Sequence, residues 1–124
     1  MDPRKVFGKE GEAAAVSHLL LHGADILMRN FRCRYGEIDI IALEGPCYLV
    51  VEVKTRNKNR QGYAGEAVDY RKQWKICRAF DYFRIGFKLA DDIPVRFDVI
   101  EVDPGLNCRW IKNAFDYHER NIFL

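Results

Sequence analysis

One stretch, Tyr48-Leu49-Val50-Val51-Glu52-Val53-Lys54, constrains this 124-residue chain more than any other. It is a β-branched run with two charges set inside it. Val and Tyr suit the half-buried surface of a pleated sheet, so the run reads as a strand. Side chains alternate along a strand, so Glu52 and Lys54 leave one face, about 6–7 Å apart at their Cα atoms. Val51 and Val53 leave the other face, where they can seal against a helix. The stretch Gly36 to Leu43 alternates too. Ile38 and Ile40 point one way, and Glu37, Asp39 and Ile41 the other. The short turn Glu44-Gly45-Pro46 joins these two strands, which predicts an antiparallel hairpin.

Four more elements follow from pattern. Val6 to His22 reads as a helix closed by Gly23, with Ala13, Val16, Leu19 and Leu20 on one face. Ile26 to Phe31 is a short apolar strand. Glu66 to Arg84 is a second helix, and Val95 to Val102 a further strand with Pro94 at its entry. Thr55 to Gly65 is polar and basic, hence loop. The remainder reads as loop with a helical turn near Lys112 to Tyr117. The order, helix, three strands, helix, strand, predicts an α/β fold with a mixed sheet, in which the second helix crosses over to a parallel strand.

The chain is long enough for a single domain over 1–124 and for a core of its own. Lys+Arg 20 against Asp+Glu 18 leaves a net charge of +2, so any basic surface must come from local arrangement. No window offers the ~18 apolar residues of a membrane span. The N-terminal MDPRKVFGKEGE has no apolar core of the secretory type, so a cytoplasmic location is expected. Cys33, Cys47, Cys77 and Cys108 are widely spread without a Cys-x-x-Cys pair, which excludes a zinc ribbon and predicts free thiols.

The chemistry gathers around the hairpin. If Asp39 shares the face of Glu52 and Lys54, two carboxylates and an ammonium meet at one point. Hard cations such as Mg²⁺ or Mn²⁺ take one or two carboxylates plus water and substrate phosphate. A bound metal lowers the pKa of a water and neutralises charge on phosphoryl oxygens, and Lys54 would stabilise that charge or orient the water. The set therefore suits phosphodiester hydrolysis, with Asp39 and Glu52 as metal ligands. Taken alone, each residue is also what a solvated strand face would carry.

Both helices show a charge on an apolar stripe. Glu12 falls within the inward arc of the first helix, where burial is costly without a partner such as a metal or Lys54. The alternative is a wet carboxylate favoured by the helix dipole. Lys72 lies amid Val68, Ile76, Ala79, Phe80 and Phe83 on the second helix, and either reaches inward to the acidic cluster or snorkels. The opposite face carries Arg71, Trp74, Lys75, Arg78 and Tyr82, suited to phosphate or to a protein partner. Arg29, Arg32 and Arg34 lead into the acidic strand, and Arg56, Lys58 and Arg60 leave the Glu52 strand. These cations flank the expected site, where they could hold a nucleic-acid backbone. His18 and His22, four apart, lack the metalloprotease glutamate and read as surface residues.

The pattern Gly8-x-x-x-Glu12, Arg29-Asn30, Gly36-Glu37-Ile38-Asp39, Val51-Glu52-Val53-Lys54-Thr55-Arg56 and Arg96-Phe97-Asp98 resembles the YraN-type family of uncharacterised bacterial proteins. That family is similar to archaeal Holliday-junction resolvases and the restriction-endonuclease-like PD-(D/E)xK nucleases. The resemblance spans Val6 to Val102. It implies a three-layer restriction-endonuclease-like core, α-β-β-β-α-β, with a central mixed sheet. It matches Asp39 and Glu52 to the metal-binding carboxylates, Lys54 to the motif lysine and Glu12 to the acidic residue of the first helix. Ile38 stands where the motif's name has proline. Glu37, Arg56, Lys72, Arg96 and Asp98 also fit the pattern, and Arg96 and Asp98, on one strand face, can pair.

The expected function is thus a divalent-metal-dependent nuclease acting on DNA, with branched or damaged DNA as candidate substrates and Glu12, Asp39, Glu52 and Lys54 converging on one pocket. The alternative is a nucleic-acid-binding module or assembly protein that keeps the fold without turnover. Resolvase-like relatives act as dimers, so a homodimer through the Arg71/Trp74/Tyr82 face is a further expectation.

Overall fold

The computed structural model describes residues 2–56 and 68–120. Lys58 and Arg60 lie outside these described residues, as does the expected start of the second helix at Glu66. Seven elements follow in order: α1 (Pro3–Leu21), β1 (Asp25–Cys33), β2 (Gly36–Glu44), β3 (Cys47–Thr55), α2 (Tyr70–Gly86), β4 (Val95–Val102) and β5 (Cys108–Phe115). The strands form one sheet in the order β1-β2-β3-β4-β5. Among the described strands only the β3–β4 pair is parallel, as the crossover through α2 requires. With α1 on one face and α2 on the other, the molecule is a three-layer α/β core with a mixed sheet.

Two buried clusters fill the layers. Ala15 and Leu19 of α1 pack on Ile40, Leu49, Val51 and Ile100. Ile76, Ala79, Phe80 and Phe83 of α2 pack on Ile41, Val50, Phe97 and Val99. Val51 seals against α1 as its alternation predicts, and Val53 is packed at the edge of the same cluster. Asp2 caps α1 by accepting from the Arg4 N–H with Pro3 behind it, and Gly23, at φ +91°, ends the helix. The four cysteines are free thiols. Among the described residues no helix is long and apolar enough to cross a membrane.

Several expectations are corrected. The inward face of α1 is Gly11, Ala15 and Leu19, while Ala13 and Leu20 are exposed. The close approach of Gly11 to Thr55 sets that rotation, because an added Cβ would collide with the Thr55 methyl. Arg78 is buried, not on the outer face of α2. Its guanidinium pairs with Asp81 and donates to the Tyr117 hydroxyl and the His118 carbonyl. The stretch expected to turn helically after Lys112 is instead the end of β5. Asn113 takes φ +55° and interrupts the alternation there, which hides the strand from pattern reading. His22 is exposed as expected, but His18 is half-buried, with its ring 6.1 Å from Trp110.

Ile38 and Ile40 do not share a face: Ile38 joins the α2 cluster and Ile40 the α1 cluster. Asn30 lies between the pairs Arg29↔Ile40 and Phe31↔Ile38, opposite Asp39, and adopts φ +54°. Both strands therefore lose their alternation at one place, on either side of Asp39.

Candidate metal and phosphate site

The kink opens the ladder between β2 and β3, whose pairing stops at Ile40↔Val51. The next inward N–H of β3, that of Val53, donates to the Asp39 carboxylate at 2.8 Å. Asp39 thus replaces a main-chain acceptor and is held where the two strands part.

Glu52 and Lys54 leave β3 on the α2 side, as the alternation predicts. Lys54 Nζ lies 3.9 Å from Glu52 Oε1, and Lys72 Nζ, from the first turn of α2, lies 2.6 Å from the same oxygen. Lys72 therefore reaches inward. Asp69 fixes that turn, since its carboxylate accepts from the Lys72 backbone N–H at 2.8 Å and caps the helix. The Glu52 side chain is 8% exposed, so the neighbouring cations matter more than they would at the surface.

The electrostatics follow from this crowding. Burial, then the Glu52 carboxylate, raise Asp39 to about 7 against the Val53 hydrogen bond that lowers it, with Glu12 adding repulsion. Burial and the Lys72 ammonium lower Lys54. Burial alone would lower Lys72, but its ion pair with Glu52 outweighs that and raises it.

Of the four residues expected in one pocket, Glu52 and Glu12 line two separate hollows that share Asp39, while Lys54 lines neither and is placed by its approach to Glu52. The first, about 380 Å³, lies on the α2 side and is lined by Asp39, Glu52, Lys72, Gly36, Glu37 and Lys75 among others. The second, about 360 Å³, lies on the α1 side and is lined by Glu12, Asp39, Lys5, Lys9, Val53 and Thr55 among others. Glu12 is paired there, with Asn30 donating at 2.9 Å and Arg29 at 3.3 Å. Its partners are these two side chains rather than Lys54, a role for Asn30 that spacing alone does not reveal. Among the described residues no three His, Cys, Asp or Glu side chains group closely enough to hold a metal by themselves. Of the four carboxylates on the α2-side hollow, Glu37 faces Arg32 and Asp69 caps α2, which leaves Asp39 and Glu52, repelling each other across one cleft. That sparse oxygen set fits a hard divalent cation that keeps waters and takes phosphate oxygens as its other ligands.

The expected phosphate-binding arginines are mostly engaged. Arg29 is on Glu12, Arg32 is 3.7 Å from Glu37, and Arg56 is 3.3 Å from Glu101. Arg34 is exposed and lies over the Tyr35 ring at 5.2 Å.

Arg96 and Asp98 do pair, and more than pair. Arg96 grips both Asp98 oxygens at 2.9 and 2.8 Å, while the Trp110 indole N–H and the Asn113 N–H also donate to them. Asp98 is fully buried, and the two bonds from Trp110 and Asn113 bind β5 to β4 at the register shift. Trp110 packs with the α1-side cluster, so this network stands apart from Glu52 and holds structure together.

The model of an uncharacterised protein family, UPF0102, matches residues 11–102. A UPF0102 protein of Symbiobacterium thermophilum is 46% identical over 114 residues, covering 87% of this chain and 94% of that relative. One of Caldicellulosiruptor saccharolyticus is 43% identical over 117 residues, covering 90% and 98%. One of Legionella pneumophila is 39% identical over 110 residues, covering 88% and 93%.

Proposed function

Because this chain belongs to the uncharacterised protein family UPF0102, whose description carries no activity, we propose a function from the site itself: a divalent-metal-dependent nuclease that hydrolyses phosphodiester bonds of DNA. The observation that carries the reading is the Asp39–Glu52 pair at a strand break, with Lys54 and Lys72 on the same carboxylate. Two mutually repelling carboxylates in one cleft are costly for a fold and serve a cation well.

Asp39 and Glu52 would hold Mg²⁺ or Mn²⁺, which supplies charge neutralisation at the phosphate and an acidified water. The protein supplies the rest. The Val53 N–H fixes one Asp39 oxygen, so the other is free to point into the cleft. Lys72 balances the charge of Glu52 in the resting protein. Lys54, the lysine that burial and Lys72 make easier to deprotonate, is placed to orient the attacking water and take a proton at Nζ. Hydrolysis then adds water oxygen to phosphorus as the bond to the leaving oxygen breaks, and that oxygen takes up a proton.

A second reading has one observation in its favour. Glu12 is tied to Arg29 and Asn30 in the α1-side hollow, so the first helix adds no carboxylate to the cleft of Glu52, as in a binding module without turnover. The same experiment separates the two. Junction, flap and single-stranded DNA are incubated with the protein in Mg²⁺ and in Mn²⁺. A nuclease cuts at least one of them, and Glu52→Gln abolishes the cut. No cleavage, or cleavage that survives Glu52→Gln, overturns the enzyme; salt-dependent binding without cleavage then supports the module.

A further inference from the structure

The turn between β1 and β2 leans on the first half of α2. Gly36, at φ +146°, sits so that a Cβ added there would meet the Lys75 Cβ at 3.9 Å. This docking brings two half-buried aromatic rings together, Tyr35 from the turn and Trp74 from the helix. Their centroids are 6.5 Å apart, with the planes at 77°. Each ring is the chain neighbour of a residue that lines the Asp39/Glu52 cleft, Gly36 for Tyr35 and Lys75 for Trp74. The buried Arg78 guanidinium lies over Trp74 at 5.2 Å and braces that ring from the protein side.

Cations surround the pair. Arg32, Lys72 and Arg78 are engaged with carboxylates. Arg34, Arg71 and Lys75 are exposed, and among the described residues none of the three is in an ion pair. Of the four acidic residues on the same cleft, Glu37 faces Arg32, Glu52 faces Lys72, Asp69 caps α2 and Asp39 accepts from the Val53 N–H. The charge left over beside the two rings is therefore positive.

We propose that Tyr35 and Trp74 form a stacking platform for an unpaired nucleobase, and that the nucleic acid taken by the neighbouring cleft is single-stranded or carries an unpaired stretch. Aromatic rings interleaved with free cations are what single strands need. Every base has a face to stack, and every nucleotide has a phosphate for a lysine or arginine. Inside an intact duplex the base faces are already covered, so the platform offers it only charge. Here each ring is one chain position from a residue that lines the cleft of Asp39 and Glu52, so a base held on the rings sets its phosphodiester at the mouth of that cleft. The inference rests on the nucleic-acid reading of that cleft but does not require cleavage.

The test is direct binding, without divalent metal, at one fixed salt concentration. Fluorescence anisotropy reads the affinity for a labelled oligothymidylate and for a blunt duplex of the same length. The wild type is expected to prefer the single strand. Tyr35→Ala and Trp74→Ala are each expected to lose about tenfold in affinity for the oligothymidylate while duplex binding stays within about twofold. Trp74→Phe keeps a ring and is expected to keep most of the affinity, which separates lost stacking from a damaged helix. Equal affinity for the two ligands, or alanine variants that bind the single strand as the wild type does, overturns the platform. Binding to neither ligand overturns both the platform and the nucleic-acid reading. A protein that prefers single strands through Trp74 yet never cuts in Mg²⁺ keeps the platform and loses only the nuclease.

Discussion

Lys72 Nζ stands 2.6 Å from Glu52 Oε1, closer than Lys54, which shares the strand with that carboxylate and lies at 3.9 Å. Among the described residues the nearest counter-charge to Glu52 thus comes from a helix some twenty residues on and not from the strand motif.

A cation entering the cleft must compete with that ammonium. Replacing it with an uncharged side chain of similar length, Lys72→Met, is expected to tighten Mn²⁺ binding by about fivefold or more, the equivalent of about 1 kcal/mol of removed repulsion. Lys54→Met is expected to do less, being farther from the oxygen. Calorimetric titration of Mn²⁺ into the two variants decides this, and a Lys72→Met protein that binds the ion no better than wild type contradicts it.

Asp39 supplies a pH dependence. Its carboxyl is raised from 3.8 to about 7 by burial and by Glu52. A cation must displace that proton below pH 7, so Mn²⁺ affinity should climb about tenfold per pH unit up to about 7 and level off above it. Stability should move the other way. A carboxyl raised in the folded state favours folding while it is protonated, and that advantage fades as pH rises from about 4 to about 7. Asp39→Asn, which can still accept from the Val53 N–H, is therefore expected to abolish the pH-dependent part of metal binding and to be more stable than wild type at pH 8. Urea unfolding at pH 5 and pH 8 checks the sign, and a variant less stable than wild type at pH 8 refutes it.

The Asp98 network should behave as structure. Asp98→Ala leaves the Trp110 and Asn113 N–H groups without an acceptor and the Arg96 guanidinium with Glu44 as its remaining partner, and is expected to cost roughly 3–5 kcal/mol. In protein that remains folded at low temperature, Mn²⁺ affinity should be unchanged. A mild loss of stability with a large loss of metal binding would move Asp98 into the site.

Gly11 sets how closely α1 approaches β3. Gly11→Ala is expected to destabilise by about 1–3 kcal/mol, because the new methyl meets the Thr55 methyl. Thr55→Ser removes that methyl, so the double variant should recover much of the loss. Additive effects of the two changes in denaturant unfolding would place the strain elsewhere.

Much of the frame is legible locally. Alternation places Glu52 and Lys54 on one face and Val51 and Val53 on the other, and that arrangement holds. The inward angular position of Lys72 on α2 is also readable, and Lys72 does reach Glu52. Alternation misleads at Ile38 and Ile40, because a period of two assumes an unbroken pleat. Asn30 at φ +54° and Asp39 break it together, and neither residue announces this alone. Edge strand β5 fails for a related reason. Its pairing is decided by the open side of β4 and by the buried Asp98 carboxylate, both distant in sequence.

The sequence by itself determined the order of helices and strands as far as β4, the crossover that makes β3 and β4 parallel, and which residues of β3 bear charge, because these depend on periodicities within a dozen residues. Only the tertiary structure decided that Glu12 answers to Arg29 and Asn30, that Asp39 stands between two hollows, and that Tyr35 meets Trp74. Those relations span elements, and ion pairs and ring contacts act over a few ångströms of space, whatever the separation along the chain.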